Sequence, residues 1–363
     1  MNTRPVLDPY TRPLALSASF NADNSFFSVG LDTGFRVYNS KTCDMKVHRD
    51  MDGGIGCAEM VGTTAYLALA GGGNPPNIPP NKVHIWNDAT QRVACTLELP
   101  DLVLRARVSP EKLVVATTTS VGIYQMKNPP VRIAHFSTAT NPFGLCSLEN
   151  NIVAMPGKNA GQVKLVDANQ NTTIIPAHSS PLRALALNKK GDMLATASEK
   201  GTIIRLWAYP SGRLLAEFRR GIDEAAIFSL AFSPHDSMLA VTSDKSTLHI
   251  FDIPNGANAP ANPDPKTHKY GFLSKVPLLP RQFSDTYSSA STHFEMGEGS
   301  VSRTEKSSPT SLHPMKGVLG WLDDQTVLVV SAGQDARWEK FIVVVHQTGQ
   351  KVIYREGWQR FLD

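Results

Sequence analysis

The feature that most narrows the fold of this chain is a phrase that occurs twice. Leu185-Ala186-Leu187-Asn188 is echoed by Leu230-Ala231-Phe232-Ser233, and Met193-Leu194-Ala195-Thr196-Ala197-Ser198 by Met238-Leu239-Ala240-Val241-Thr242-Ser243. Each copy then passes through a turn and a threonine into a last strand, ending at Trp207 in the first and Phe251 in the second. The offset is about 45 residues, the length of one four-stranded propeller blade. Ser28 to Tyr38 and Val83 to Trp86 are fainter copies of the same half-blade. Short alternating segments punctuated by Gly, Asp, Asn and Pro fill the rest, and no long segment of helical period competes with them.

Counting by this phrase predicts an all-β chain, a single seven-bladed β-propeller with four-stranded blades over residues 1–363. The blades are expected at about 14–52, 53–99, then to 139, to His178, to Gly221, from Ile222, and from near Pro314 to Phe361. Each blade must cover both faces against its neighbours, so no single repeat is expected to be stable alone. Whether the first 13 residues add a closing strand is left open by the pattern.

Composition excludes several classes of function. With 41% hydrophobic and 19% charged residues the chain is an ordinary globular one, and a net charge of +4 over 363 residues is too small for wholesale wrapping of nucleic acid. No nucleic-acid partner is expected. Cys43, Cys57, Cys95 and Cys146 are widely spaced, without CxxC or metal-ligand spacing, and read as reduced packing residues of a cytoplasmic protein. No metal and no cofactor is expected. Residues 1–13 hold three prolines, Arg4 and Asp8 but no apolar core, unlike a signal peptide, and no apolar run reaches transmembrane length. Any membrane attachment is therefore expected to be peripheral.

One segment breaks the rhythm. From 255 to 313 the chain is rich in Pro, Ser and Thr, too long for an ordinary connection, and reads as a flexible loop of the sixth blade. Its first half interleaves Lys266, Lys269, Lys275 and Arg281 with Tyr270, Phe272, Leu273, Val276, Leu278 and Leu279. A membrane interface rewards that mixture: apolar side chains enter the acyl boundary while cations meet anionic headgroups, at roughly 1 kcal/mol per basic residue. The second half is Ser-rich and more acidic, and Ser300, Ser302 and Thr304 offer hydroxyls to a kinase.

The polar residues of the repeated phrase form two matching sets. Phe218-Arg219-Arg220-Gly221 closes the fifth blade after the Pro210-Ser211-Gly212 turn. Successive strand side chains point to opposite faces, so adjacent arginines serve different neighbours, and each guanidinium fork suits a phosphate. On one side stand Ser198, Thr202 and Arg205, with His178 available from just before the fifth blade; on the other stand Ser243, Thr247 and His249. Hydroxyls with imidazole or guanidinium donors are the groups that a phosphorylated polyol needs.

Taken together these residues resemble the PROPPIN or WIPI family of phosphoinositide-binding propellers. Phe218-Arg219-Arg220-Gly221 matches the family signature, and Thr196 to Thr202, Gly34 to Asn39, Ala70 to Gly73 with Pro79 to Val83, and Ile175 to His178 follow the family pattern. Within the family the sequence is closer to the shorter, Hsv-like branch that includes the WIPI three and four type proteins. The resemblance implies one headgroup site of His178, Ser198, Thr202, Arg205 and Arg219, and a second of Arg220, Ser243, Thr247 and His249. It implies phosphatidylinositol 3-phosphate and 3,5-bisphosphate in membranes as ligands and a large autophagy lipid-transfer protein as partner. It further implies a monomer in solution, attached peripherally to phagophore, endosomal or vacuolar membranes. The competing reading is a propeller adaptor that binds only proteins, its arginine pair serving a phosphopeptide. An enzyme is not expected: the chain has no GxSxG, no HExxH and no phosphate-loop lysine, and Gly71-Gly72-Gly73 does not open a helix, so it reads as a mobile blade loop.

Overall fold

The second strand of each blade explains the architecture. Residues 193–198 and 238–243 are apolar or small throughout because both faces of these strands are covered by neighbouring sheets, and nearly every position is buried. A sheet covered on two faces needs a second and a third sheet, and a ring of sheets supplies them without leaving an end. The computed structural model, described here for residues 13–254, 286–296 and 316–362, contains seven such sheets and no helix among those residues. The membrane-facing residues expected from the sequence, Tyr270, Phe272, Leu273, Val276, Leu278 and Leu279, lie outside the described residues, as do Ser300, Ser302 and Thr304.

Blades 1 to 4 each take four consecutive antiparallel strands, within residues 15–50, 55–98, 105–137 and 147–176. Blade 5 uses Leu182–Leu187, Met193–Ser198, Ile203–Ala208 and Leu214–Arg219, from the channel outward. Blade 6 uses Ile227–Phe232, Met238–Ser243 and Thr247–Asp252, and takes its outer strand, Ala290–His293, from within the 255–313 segment that was expected to be a flexible loop throughout. On the way there Thr286–Tyr287 pairs in parallel with Phe218 and Arg219, so blade 5 carries a short fifth strand that the repeat did not predict.

Blade 7 is built entirely from the C-terminal part, within residues 318–360, and blade 1 entirely from the N-terminal part. The ring therefore closes through contacts between two complete blades. Ala15 and Gly333 exchange two backbone hydrogen bonds, of 3.2 and 2.9 Å. Behind them Tyr38 Oη donates to the Phe361 carbonyl at 2.7 Å and Trp338 Nε1 to the Ser40 carbonyl at 2.9 Å. Phe27, Tyr38 and Phe361 pack against one another with centroids 5.0 to 5.5 Å apart.

Two local features differ from expectation or constrain the site. The glycine loop after Tyr66–Gly71 is not loose: Gly72 and Asn77 both donate to the Gly54 carbonyl, and Gly54 donates to Pro75. Gly201, by contrast, is demanded by position. It has φ +59°, and a Cβ there would lie 1.8 Å from the Ala225 carbonyl oxygen, so only glycine lets the chain entering blade 6 cross the blade 5 turn. Cys43, Cys57 and Cys146 are buried and Cys95 is half-buried; all four are free thiols.

Candidate anion pockets on the rim

Strand pairing assigns the predicted side chains to faces. In blade 5, Thr196 lies opposite Arg205 and Arg205 opposite Glu217, and cross-strand partners share a face. Trp207, two residues beyond Arg205, packs with Ile175 and Ala177 of blade 4 and its connection, so this face looks toward blade 4. Arg219, two residues beyond Glu217 and opposite Ile203, is on the same face. Phe218, between them, points the other way and stacks on Phe251 of blade 6 at 5.0 Å. The strand ends at Arg219, and Arg220 follows with its backbone NH bonded to the Thr202 carbonyl.

The pocket between blades 4 and 5 is a hydrogen-bonded network. His178 Nε2 is 3.0 Å from Thr196 Oγ1, which also accepts from Trp207 Nε1 at 3.0 Å. Arg205 donates through Nε to Glu217 Oε2 at 2.8 Å and through NH1 to the Ala177 carbonyl at 2.7 Å. Ser198 is buried at the end of its strand, while Thr202 and Arg219 are half-buried. Burial, with Arg205 beside it, pushes the His178 pKa down to about 4, so the ring is neutral near pH 7. Glu217 and Thr196 were not anticipated as members of this set. The hairpin register set by the Pro210-Ser211-Gly212 turn holds the signal for Glu217, since it fixes which residue faces Arg205.

The second set lies between blades 5 and 6. Val241, opposite His249, and Phe251, two residues on, both pack with Phe218, so His249 faces blade 5. Ser243 Oγ and Thr247 Oγ1 are 2.9 Å apart at the mouth of the same hairpin. Arg220 donates Nε to the Gly201 carbonyl at 2.9 Å and NH2 to the Asp223 carbonyl. His249 Nδ1 sits 3.2 Å from Ser288 Oγ, a residue that sequence reading missed because it lies within the long segment read as a loop. Burial, with Arg220 and His293 as nearby cations or potential cations, pushes the His249 pKa down to about 4. Its Nε2 is buried and has no hydrogen-bond partner among the described residues. Buried polar atoms are almost always satisfied, and this nitrogen, like Arg36 Nε, Ser40 Oγ and Thr138 Oγ1, is an exception among the described residues.

No three His, Cys, Asp or Glu side chains among the described residues are grouped to hold a metal ion. The donors are guanidinium, imidazole and hydroxyl groups, which suit an anion. The fold and these two clusters define a seven-bladed propeller with two candidate anion pockets flanking one blade. The chain belongs to the PROPPIN family, whose model matches residues 15–298. It is 48% identical to SVP1-like protein 2 of Emericella nidulans, over 84% of this chain and 99% of that protein. It is 35% identical to autophagy-related protein 18 of Yarrowia lipolytica, over 66% of this chain and 67% of that one. The solved structure of Kluyveromyces lactis Hsv2 superposes with a TM-score of 0.77 at 23% identity, covering 96% of this chain and 99% of that one, which is a likeness of fold.

Proposed function

We propose that this PROPPIN is a phosphoinositide effector that attaches peripherally to membranes and recruits autophagy machinery there, acting by binding and not by catalysis. The observation that carries this reading is the orphaned Nε2 of His249, held in a wall of hydroxyls next to Arg220. The two pockets fit phosphatidylinositol 3-phosphate and 3,5-bisphosphate: Arg219 and Arg205 serve the one toward blade 4, and Arg220 the one toward blade 6. Both pockets open on the rim, so the disc stands edge-on to the bilayer. The segment 255–285, with Tyr270, Phe272, Leu273, Val276, Leu278 and Leu279, then meets the lipid between them. Two weak sites on one rigid body reinforce each other, since occupation of the first holds the second at the surface; such linkage adds about 10²- to 10⁴-fold. The name of the Yarrowia relative supports an autophagy role, and a large lipid-transfer protein is the proposed partner.

The test is flotation with vesicles that differ only in phosphoinositide species. The effector floats with 3-phosphorylated vesicles and loses them when Arg219 and Arg220 are both changed to Thr. Flotation indifferent to phosphoinositide content overturns this reading in favour of a phosphopeptide adaptor.

A further inference from the structure

The seven blades surround a central cavity of about 1750 Å3, walled by their inner strands. Its charged lining is unbalanced: Arg105, Arg107, Arg183, Lys189, Lys245 and Lys316 face three carboxylates, Glu59, Glu149 and Asp244. Arg107 is neutralised by its hydrogen-bonded ion pair with Glu59. Glu149 is pushed up to about 7 by burial and so carries only part of its charge at neutral pH.

Four of the other five, all but Lys189 beyond the far end of Leu182–Leu187, lie at one mouth. In a ring of repeated blades the inner strands all run in the same direction, so their first residues share one opening. Arg105 begins the inner strand Arg105–Val108, and Arg183 is the second residue of Leu182–Leu187. Lys316 lies just before Val318–Trp321, and Lys245 sits in the turn whose Asp244 accepts from Ala226, the residue before Ile227–Phe232. Arg183 lies over Phe143, with its guanidinium carbon 3.9 Å from the ring centroid. Stacking occupies the faces of a guanidinium and leaves its in-plane donors available. Among the described residues those donors make no hydrogen bond and no ion pair with a carboxylate. Burial and the nearby Arg105 hold the Arg183 pKa down to about 10, and burial and Arg107 lower that of Arg105: the cations oppose one another inside the channel. A multivalent anion relieves that repulsion.

We propose that this mouth of the central channel is a binding site for a compact, multiply phosphorylated solute, with Arg183 as its principal ligand and Arg105, Lys245 and Lys316 around it. The site is separate from the rim pockets and stands whether or not they bind lipid. It opens on the flat face of the disc, so a soluble anion reaches it, whereas a headgroup in a bilayer meets the rim.

Calorimetric titration of the full chain with inorganic tripolyphosphate tests this. Binding is expected to persist in the Arg219→Thr, Arg220→Thr double variant, where the rim is disabled. Adding Arg183→Gln or, at an exposed and readily tolerated position, Lys245→Gln to that background is expected to weaken it, by about tenfold for Arg183. Sulfate at matched ionic strength is expected not to substitute. Loss of all binding in the rim double variant, or unchanged affinity after Arg183→Gln, overturns the proposal. Hydrogen exchange on the unmutated protein needs no variant: tripolyphosphate is expected to protect amides near Arg105 and Arg183. Protection confined to 198–205 and 243–249 assigns the anion to the rim and overturns the channel site. Vesicles bearing phosphatidylinositol 3-phosphate serve as the lipid arm, and tripolyphosphate bound in the channel is expected not to displace them from the protein when the rim is intact.

Discussion

Nε of Arg205 lies 2.8 Å from Oε2 of Glu217 on the adjacent strand, so one arginine of the blade 4–5 pocket is oriented by a carboxylate that also repels an incoming phosphate. Glu217→Gln keeps an acceptor for Arg205 and removes the negative charge. Headgroup affinity at this pocket is expected to rise several-fold, with a stability loss of about 1 kcal/mol. Titration with a soluble inositol 1,3-bisphosphate headgroup and a thermal melt measure the two effects. An affinity that falls shows that orientation outweighs repulsion.

Phe218, stacked on Phe251, separates the faces served by Arg219 and Arg220. Arg219→Thr alone is therefore expected to weaken vesicle binding without abolishing it, because the pocket of Ser243, Thr247 and His249 is intact. Co-sedimentation against vesicle concentration reads the residual affinity. Complete loss from the single change is incompatible with two independent pockets.

The depressed pKa values of His178 and His249, both about 4, set a pH dependence with a definite sign. An unfolded histidine binds its proton near pH 6.5, so between about 6.5 and 4 the unfolded chain is protonated where the folded one is not. The stability contribution is fully present above about pH 6.5 and is lost as pH falls through that window, on the order of 3 kcal/mol per histidine at the acid end. Melting temperature followed from pH 7 to 4.5 should drop less in His249→Gln than in the wild type. A bound phosphate favours the imidazolium, so headgroup affinity should move the opposite way, rising toward pH 5, and His249→Gln should flatten that rise.

Ring closure depends on a few buried hydrogen bonds behind the Ala15–Gly333 bridge. Tyr38→Phe keeps the ring packing on Phe27 and Phe361 but leaves the Phe361 carbonyl unpaired. A loss of about 1 to 3 kcal/mol is expected in urea unfolding, with the rim pockets, which share no residue with this seam, binding as before.

Changing Phe272, Leu273, Leu278 and Leu279 to Ser is expected to reduce vesicle binding and to leave soluble headgroup affinity unchanged. If both fall together, this segment supports the fold of the pockets and does not anchor the protein.

Much of this was readable in the chain before any coordinates. The blade count followed from a phrase repeated in residues 185–207 and 230–251, because every blade faces the same requirement to bury two faces. Strand pleating sets Phe218 and Arg219 on opposite faces, but Arg220 lies past the strand's end and is held by the Gly201 and Asp223 carbonyls. What escaped has a common cause in chain distance or backbone geometry. Glu217 is 12 residues from Arg205, across a hairpin whose bulge between Leu206 and Trp207 shifts the register. Ser288 reaches His249 from 39 residues away, and nothing local marks it. The glycine loop after Gly71 reads as loose because its ties are backbone hydrogen bonds to Gly54, which no side chain announces. The gathering of cations at one mouth of the channel is invisible until the ring brings two inner strands and two connecting segments to one opening.

The return of the chain through Thr286–Tyr287 to blade 5, and through Ala290–His293 to blade 6, has a consequence for synthesis. The strands of blades 1 to 4 and the four strands of blade 5 are all made before this stretch, but blade 6 waits for it to supply an outer strand. The set between blades 5 and 6, with Ser288 beside His249, is therefore finished only after the whole of 255–285 has emerged, and a nascent chain stalled before that point carries every residue of the blade 4–5 set but an incomplete blade 6.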